Sequence, residues 1–375
     1  MQSRLRQLHQ RLQEIHPRQL TVAIGFDGFV DEIVEVVDRR ESLSSYIRMN
    51  KMSQFGERIS KAAGLSTNIE FVPKTVKLGG NGPIMANALV SLGTNVSYMG
   101  AIGKPNIHPV FSELVEGCTQ VFSLAEPGHT DAVEFDDGKV MLGKMETLNE
   151  VDWATLIDVV GEETLRQIFG NSDLIATVNW TMTAYMNEIW DGLLALLSPP
   201  TGTKPFFFVD LADPGKRNPR DIRDALQIIA KFSSHYRVIL GLNRKEATEI
   251  ANVQGLTLSG PAEDVGLEEI VRALGEDLGL WCVMVHPTFE AGAYVDGQYF
   301  HVDGPFTSKP RLTTGAGDNF NAGFCLGLML ELSVEDSLAL GKATSGYYVR
   351  NMCSPSWEKL LGFVELWASR AGEDF

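Results

Sequence analysis

Cysteine is scarce in this chain of 375 residues, and the four that occur are scattered without a CxxC pair. Small disulfide-dependent domains carry cysteine at much higher density, and structural zinc sites need closely spaced ligands. We therefore expect free thiols in a reducing compartment, with neither a disulfide framework nor a zinc site. The four cysteines are Cys118, Cys282, Cys325 and Cys353.

No run of apolar residues approaches the roughly 18 that a membrane-spanning helix requires. The first residues have no apolar centre of the kind found in a secretory signal, yet they are rich in arginine and place Leu5, Leu8 and Leu12 on one helical face. Such a segment is either a mitochondrial transit peptide or a helix docked on the protein. We favour the docked helix, because a core strand follows at once, and we expect a cytoplasmic protein with no membrane partner.

Positive charge is in deficit, since 32 Lys and Arg residues stand against 48 Asp and Glu residues and the formal net charge is −16. A nucleic-acid or anionic-membrane partner would need a surface dominated by Lys and Arg, so we expect neither. A small anionic ligand is compatible with this charge, because a few backbone amides and one or two cations can hold a phosphate.

Strand-like apolar segments alternate with helix-like segments along the whole chain. This order predicts an α/β fold in which helices sandwich a mostly parallel central sheet, and several strands are apolar on both faces, as buried strands are. The clearest predicted strands are residues 21–26, 95–100, 173–178, 206–211, 237–242 and 280–285. The clearest predicted helices are residues 82–92, 183–197, 219–232, 244–252 and 264–277.

Three segments alternate polar and apolar residues or contain a DDG turn, which predicts a small, partly exposed antiparallel sheet. They lie at about 29–37, 68–80 and 118–146, interleaved with core segments. We therefore expect a discontinuous lid within one domain that covers residues 1–375. Residues 38–64 are polar and are predicted to form a partly helical insertion.

Residues 311–330 read RLTTGAGDNFNAGFCLGLML and carry the most informative pattern. Glycines let the backbone turn tightly and let a ligand approach the amides, and the apolar run after them predicts a buried helix. The free amides of its first turn, together with the helix dipole, would form an anion hole at Gly315–Asp318.

Asp318 at this helix start has two interpretations. It is either an ordinary helix N-cap or a base that takes a proton from a substrate hydroxyl while the amides hold a transferring phosphoryl group. Because helix-end amides favour the ionised carboxylate, the second interpretation predicts a weak base.

The GAGD segment resembles the second signature of the ribokinase-like (PfkB) carbohydrate kinase family, in which a DTTGAGD-type loop opens a buried helix. Residues 79–93, GGNGPIMANALVSLG, are similar to the first signature of that family. GLNRKEA at 241–247 is similar to its NxxE element, and DLADPGKR at 210–217 resembles its DxxDP turn. The four elements occur in the family's order and spacing, so the chain is identified as a divergent ribokinase-like member.

The resemblance implies an ATP-dependent kinase that phosphorylates a hydroxyl of a small sugar, polyol or nucleoside. It makes Asp318 the catalytic base. The anion hole would consist of Gly315, Ala316 and Gly317, with Thr314 beside them at the phosphate. Family members often pair through the lid, so a homodimer is one arrangement that the resemblance allows.

The NxxE element of the family organises Mg²⁺ and the phosphates, largely through water. Here it would consist of Asn243 and Glu246, and one carboxylate plus one amide suit an ion that retains several waters. Taken alone, the same two residues also fit a helix start in which Asn243 is the cap and Glu246 completes a capping box.

At the substrate end, GFDGFVDEI places Asp27 and Asp31 where the first strand leaves the core, and ligands bind at such strand ends in α/β sheets. By resemblance, Asp31 accepts hydrogen bonds from sugar hydroxyls, while Asp27 either assists or caps the turn. Gly79, Gly80 and Asn81 would approach the same substrate. Ordinary surface-turn positions are the alternative interpretation of these residues.

Four departures from the family pattern occur, one of which is the turn after the first signature, GKP at 103–105 in place of GDD. Ile84 replaces an asparagine of the first signature, which removes one expected contact with a substrate hydroxyl. Leu312 replaces the acidic residue that helps relatives to hold a monovalent cation, so the sequence does not support such a cation. His286 lies in the stretch that borders the nucleotide, where the pattern does not expect it.

A non-catalytic sugar- or nucleoside-sensing protein on the same fold is the main alternative function. It would keep the pocket and lose the base or the anion hole, both of which this sequence retains. A dinucleotide-binding oxidoreductase is disfavoured, because the first strand ends in GFDGFV and not in GxGxxG.

Overall fold

The computed structural model describes residues 1–200 and 202–375, which form one large and one small β-sheet with helices packed around them. The strands are β1 Thr21–Phe26, β2 Phe29–Arg40, β3 Tyr46–Arg48, β4 Phe71–Gly79, β5 Asn95–Gly100, β6 Gln120–Ser123, β7 Gly128–Phe135, β8 Gly138–Lys144, β9 Leu174–Val178, β10 Phe206–Asp210, β11 Arg237–Leu242, β12 Cys282–Val285, β13 Glu290–Val295 and β14 Gln298–Asp303. The helices are α1 Gln2–Gln13, α2 Met52–Lys61, α3 Asn81–Leu92, α4 Ser112–Gly117, α5 Trp153–Val160, α6 Glu162–Gly170, α7 Met186–Leu196, α8 Pro219–Lys231, α9 Arg244–Gln254, α10 Leu267–Leu278, α11 Ala316–Met329, α12 Val334–Asn351 and α13 Trp357–Ser369.

The large sheet has nine strands in the order β14-β13-β12-β11-β10-β9-β1-β5-β6. Every pairing from β12 to β6 is parallel, and only β13 and β14 are antiparallel to their neighbours. The predicted α/β fold with a mostly parallel sheet is therefore confirmed. All six predicted strands and all five predicted helices are present, with their ends shifted by a few residues.

Helices cover both faces of the large sheet, as the apolar strands predict. Because side chains alternate along a strand, Val22 and Ile24 of β1 join one apolar core, and Ala23 and Phe26 join the other. The first core is completed by α1, α3, α4 and α11–α13, and the second by α5–α10. Among the described residues, no helix combines the length and the apolar character that crossing a membrane demands.

Helix α1 docks on the body of the protein, as we favoured from its pattern. Leu5, Leu8 and Leu12 are buried and the helix packs against α13. Arg4 Nε donates to Asp336 Oδ1 at 2.9 Å, which ties the polar side of the helix to α12.

The small sheet is built around β2, which pairs with β3, β4 and β7, while β8 pairs with β7. The expectation of an antiparallel sheet is wrong in one respect, since β2 and β7 run parallel. Both strands continue from parallel strands of the large sheet, β1 and β6, and so they enter the small sheet in the same direction.

Two predicted boundaries of the small sheet also differ. The segment 118–146 begins with β6, which pairs with β5 at the edge of the large sheet, so only β7 and β8 belong to the small sheet. Region 38–64 contains α2, in agreement with a partly helical segment, but it also contributes the end of β2 and the unpredicted strand β3. Phe55 of α2 packs on the small sheet in a separate apolar cluster.

Candidate active site

A cleft of about 520 Å³ lies between the two sheets. The carboxyl ends of β1, β9 and β10 lie at this edge because these strands are parallel neighbours, and the first turns of α3 and α11 reach the same place. Polar side chains from six separate parts of the chain therefore line this cleft. They belong to Asp31, Asn81, Thr130, Asn179, Lys216, Thr314 and Asp318.

Helix α11 begins at the predicted anion hole. Gly315 is its N-cap and has a φ of 90°, in the left-handed region that favours glycine. A Cβ at this position would lie 2.8 Å from the hydroxyl of Tyr348 and 3.2 Å from Ile84. Tyr348 also donates a hydrogen bond of 2.9 Å to Thr314 O, which ties the loop to α12.

Asp318 lies in the first turn of α11 and is only 8% exposed. Its Oδ1 accepts a hydrogen bond of 2.9 Å from Asn81 Nδ2, which joins the starts of α3 and α11. Burial, followed by the charge of Asp210, raises the pKa of Asp318 well above its ordinary value. The expectation of a weak base is therefore wrong, because desolvation outweighs the helix-end amides.

Asp27 lies in the two-residue link between β1 and β2 and is fully buried. Its carboxylate accepts hydrogen bonds from Asn81 N at 2.9 Å, Gly82 N at 2.8 Å and Asn179 Nδ2 at 2.7 Å. Burial raises the pKa of Asp27 to about 6 in spite of these bonds. Of the two roles expected for Asp27, the structure favours the cap, here of helix α3, over direct contact with a ligand in the cleft.

Asp31 extends from β2 into the cleft and is 5% exposed. Burial raises the pKa of Asp31, and the nearby charge of Lys77 opposes that rise. Gly79 pairs with Phe29 in the β2–β4 ladder and lies diagonal to Asp31, and a Cβ there would lie 2.4 Å from the carboxyl group. Gly79 therefore makes room for Asp31, whereas Gly80 and Asn81 line the cleft themselves.

Asn243 and Glu246 form a capping box at the start of α9. Asn243 Oδ1 accepts from Glu246 N at 3.0 Å, and Glu246 Oε2 accepts from Asn243 N at 2.8 Å. Glu246 is buried, and burial together with the charge of Asp210 raises its pKa to about 9. Burial raises the pKa of Asp210 itself to about 6.

Asp210 is a site residue that we did not predict, although it is the first aspartate of the DxxDP turn. It ends β10, and its charge raises the pKa of both Asp318 and Glu246. Its carboxylate accepts hydrogen bonds from Ala212 N at 2.7 Å and Asn321 Nδ2 at 2.9 Å. The charge of Asp210 therefore acts both on the predicted base, Asp318, and on Glu246 of the predicted metal-binding element.

A second cavity of about 240 Å³ lies on the other side of the anion-hole loop, where Ala316 and Gly317 form part of its wall. The ring of His286 stacks on Phe320 with 4.9 Å between centroids, and a Cβ at Gly317 would lie 3.1 Å from His286. Burial and the charge of Lys342 lower the pKa of His286 to about 3, so the imidazole is neutral. The unexpected histidine therefore belongs to the wall of this second cavity.

Lysines from the small sheet were also missed by sequence reasoning. Lys139 of β8 donates a hydrogen bond of 3.1 Å to Thr314 Oγ1. Lys77 of β4 lies close to Asp31, and burial lowers the pKa of Lys77. No local signal marks either lysine, because both lie on strands that also carry exposed charges.

One cluster of potential metal ligands lies elsewhere on the small sheet, where Glu32, His129 and Asp131 bring their ligand atoms close together. By strand alternation these side chains lie on the face opposite Asp31 and Thr130. Lys144 Nζ lies 3.0 Å from Asp131 and already supplies a cation. This cluster is therefore separate from the cleft.

Solved sugar-kinase structures share this architecture. A probable sugar kinase from Rhizobium etli superimposes with a TM-score of 0.64 at 16% identity, covering 96% of this chain and 99% of that chain. The ribokinase of Arabidopsis thaliana, solved with ribose and ATP, superimposes with a TM-score of 0.63 at 16% identity, covering 94% and 99%. The fold of this chain is therefore ribokinase-like, as its motifs predict.

Sequence comparison gives a narrower assignment. A ketohexokinase of Haloferax volcanii is 30% identical over 346 residues, which are 92% of this chain and 90% of that protein. The family model of prokaryotic ketohexokinase matches residues 4–367. The chain belongs to the prokaryotic ketohexokinase family and is a carbohydrate kinase, a phosphotransferase with an alcohol group as acceptor.

Proposed function

We propose that this protein transfers the γ-phosphoryl group of ATP to a hydroxyl of a ketohexose. The observation that carries the proposal is the position of the Gly315–Gly317 loop between two cavities, with the buried carboxylate of Asp318 in the first. A donor in one cavity and an acceptor in the other would meet at the amides of this loop. The family, and the relative named as a ketohexokinase, support a ketohexose as the acceptor.

The acceptor sugar binds in the cleft between the sheets. Asp31 accepts hydrogen bonds from its hydroxyls, and Gly80 and Asn81 approach it from the start of α3. The small sheet acts as a lid, since β2, β7 and β8 supply Asp31, Thr130 and Met141 to the cleft wall. Excluding water in this way protects the phosphoryl donor from hydrolysis.

The donor binds with its nucleoside in the second cavity and its phosphates at the loop. The amides of Gly315, Ala316 and Gly317 hold the phosphoryl oxygens, and the α11 dipole favours their negative charge. Thr314 lies at the same turn. Phosphoryl transfer needs mainly positioning and charge stabilisation, which this arrangement of amides supplies.

Asp318 is the base of the reaction. The sugar hydroxyl gives its proton to the Asp318 carboxylate as its oxygen bonds to the γ-phosphorus, and the bond from that phosphorus to the bridging oxygen of ADP breaks. The electron pair of the broken bond leaves with ADP. Burial and the charge of Asp210, which raise the pKa of Asp318, make its ionised carboxylate a stronger proton acceptor.

The buried acidic residues beyond the cleft fit a magnesium ion. Glu246, Asn243 and Asp210 offer carboxylate and amide oxygens, which Mg²⁺ prefers. A bound cation would offset the burial that raises the pKa of both carboxyl groups. When bound, magnesium would neutralise phosphate charge during transfer. Leu312 offers no acidic ligand for a monovalent cation, so the proposal involves magnesium alone.

An acceptor screen tests the proposal. Purified protein with ATP and magnesium should form ADP faster with D-fructose than without an acceptor, and the phosphorylated sugar should accumulate in equal amount. A parallel panel of aldoses, polyols and nucleosides measures the breadth of the acceptor class. If every acceptor on the panel leaves ADP formation at the background rate, the kinase proposal fails and a sensing role gains support.

Asp318→Asn separates catalysis from binding in the same assay. The amide cannot accept the proton, so kcat should fall by a factor of about 10² to 10⁴, whereas the amide can keep the contact with Asn81 and sugar binding should persist. Calorimetry with D-fructose measures the binding directly. Turnover close to that of the unmodified protein would show that Asp318 is not the base.

A further inference from the structure

Asn179 is a buried side chain that the proposed mechanism does not use. It follows β9, lines the cleft and is only 3% exposed. Its Nδ2 donates to Asp27 at 2.7 Å, but its Oδ1 has no hydrogen-bond partner among residues 1–200 and 202–375. Buried polar atoms are nearly always paired in native proteins, so an unpaired acceptor on the wall of a cleft points to a ligand.

The position of this amide is fixed by its surroundings. Asn179 has a φ of 60°, a left-handed conformation that asparagine tolerates better than other residues with a Cβ. The segment that follows is held by Arg217, which donates to Trp180 O at 2.6 Å and to Thr183 O at 2.8 Å. The guanidinium also lies 4.1 Å from the centre of the Trp180 ring. The unpaired oxygen is therefore preorganised.

The chemistry of an unpaired acceptor selects the class of ligand. Oδ1 can pair only with a group that offers a hydrogen, and the phosphates of ATP offer none at neutral pH. A sugar hydroxyl does. Hydrogen bonds also connect Asn179 to the proposed base, because Asp27 accepts from both Asn179 and Asn81 N, and Asn81 Nδ2 donates to Asp318.

We infer that Asn179 binds the acceptor sugar, with its Oδ1 accepting a hydrogen bond from one hydroxyl of the substrate. The inference rests on the proposed function for the class of ligand. It makes Asn179 a specificity residue, since a site built to pair with a hydroxyl rejects a compound that has hydrogen in its place. The contact would also fix the sugar relative to Asn81 and Asp318.

The test is a binding comparison without nucleotide, so that turnover plays no part. D-fructose and its monodeoxy analogues are titrated calorimetrically into the unmodified protein, Asn179→Gly and Asn179→Asp. Glycine accepts the left-handed backbone and removes the amide, whereas aspartate keeps an acceptor oxygen but loses the donor to Asp27. Thermal unfolding verifies that each variant is folded.

The unmodified protein should bind one deoxy analogue about tenfold more weakly than D-fructose. Asn179→Gly should bind D-fructose about tenfold more weakly and should no longer discriminate against that one analogue, while Asn179→Asp should retain the discrimination. An Asn179→Gly protein that discriminates as before, or that weakens all analogues equally, would overturn the inference. Sugar binding without turnover would contradict only the kinase proposal. Turnover of the unmodified protein, together with unchanged discrimination in Asn179→Gly, would contradict only the role of Asn179.

Discussion

Lys139 is a side chain of the small sheet that contacts the turn at the start of α11. Its ammonium group donates to Thr314 Oγ1 at 3.1 Å, and Glu134 lies 3.6 Å away on the paired strand. Because Thr314 precedes Gly315, the positive charge lies next to the amides that we propose for the transferring phosphoryl group. A fixed charge in such a place stabilises the transition state more than the free reactants.

Lys139→Met should therefore lower kcat by about tenfold or more, with a smaller effect on the affinity for sugar. Lys144→Met is the matched control, because Lys144 lies on the same strand but pairs with Asp131 on the opposite face. Steady-state kinetics with D-fructose measure both variants. Equal effects of the two substitutions would contradict a specific role of Lys139.

Sequence reasoning predicted the site residues that belong to local motifs. Asp318, Asn81 and Gly315 were found because each motif places a loop directly before a helix, and the structure brings these helix starts together. Asn179 and Lys139 were missed. Their positions depend on contacts between segments far apart in the chain, and neither stands in a pattern that marks it.

The pairing of strand β2 with strand β4 presents Asp31 to the cleft. Asp31 and Lys77 are partners in this antiparallel pair, and Gly79 lies where a larger residue would meet the carboxyl group. The absence of a side chain at Gly79 therefore leaves the space that the buried carboxyl group of Asp31 occupies.

Gly79→Ala should displace the Asp31 carboxyl group and raise the KM for sugar by about tenfold, because one charge-assisted hydrogen bond to the ligand is weakened. The KM for ATP should change little. Gly170→Ala is the control, since a Cβ there meets no other atom within 4 Å in the described part of the chain. An unchanged sugar KM in Gly79→Ala would mean that Asp31 does not hold the substrate.

Strands of the large sheet were predictable because their apolar runs are buried on both faces. The hairpin of β13 and β14 was missed, although Asp296 and Gly297 form its turn with positive φ, a sequence signal that is typical of tight hairpins. The parallel pairing of β2 with β7 could not be predicted from alternation, because the pattern of one strand does not specify the direction of its partner.

The protein as a whole is acidic, and some of its acidic residues lie in the interior. Buried Glu246 lies near the charges of Asp210 and Asp213. Burial and these neighbours raise the pKa of Glu246 from 4.5 to about 9. A raised pKa in the folded state means that this group contributes stability fully below pH 4.5 and loses that contribution as the pH rises towards 9.

Glu246→Gln should therefore become more stable relative to the unmodified protein between pH 5 and pH 8.5, by up to about 1.4 kcal/mol of unfolding free energy per pH unit. Urea denaturation at a series of pH values measures this difference. Glu57→Gln, with a side chain that is 70% exposed, should show a difference that is constant with pH. A constant difference for Glu246→Gln as well would contradict the unfavourable buried charge.

Two of the links that join the small sheet to the rest of the protein are very short. β1 passes into β2 through Asp27 and Gly28 alone, and β4 passes into α3 through Gly80 alone. These joints are the same residues that orient Asn81 and form the cleft wall. Any rocking of the small sheet would therefore also move the groups that we propose to bind the sugar. Closure over a substrate and formation of the contacts with that substrate would then occur together. A substitution that stiffens one of these links should therefore change the affinity for the sugar.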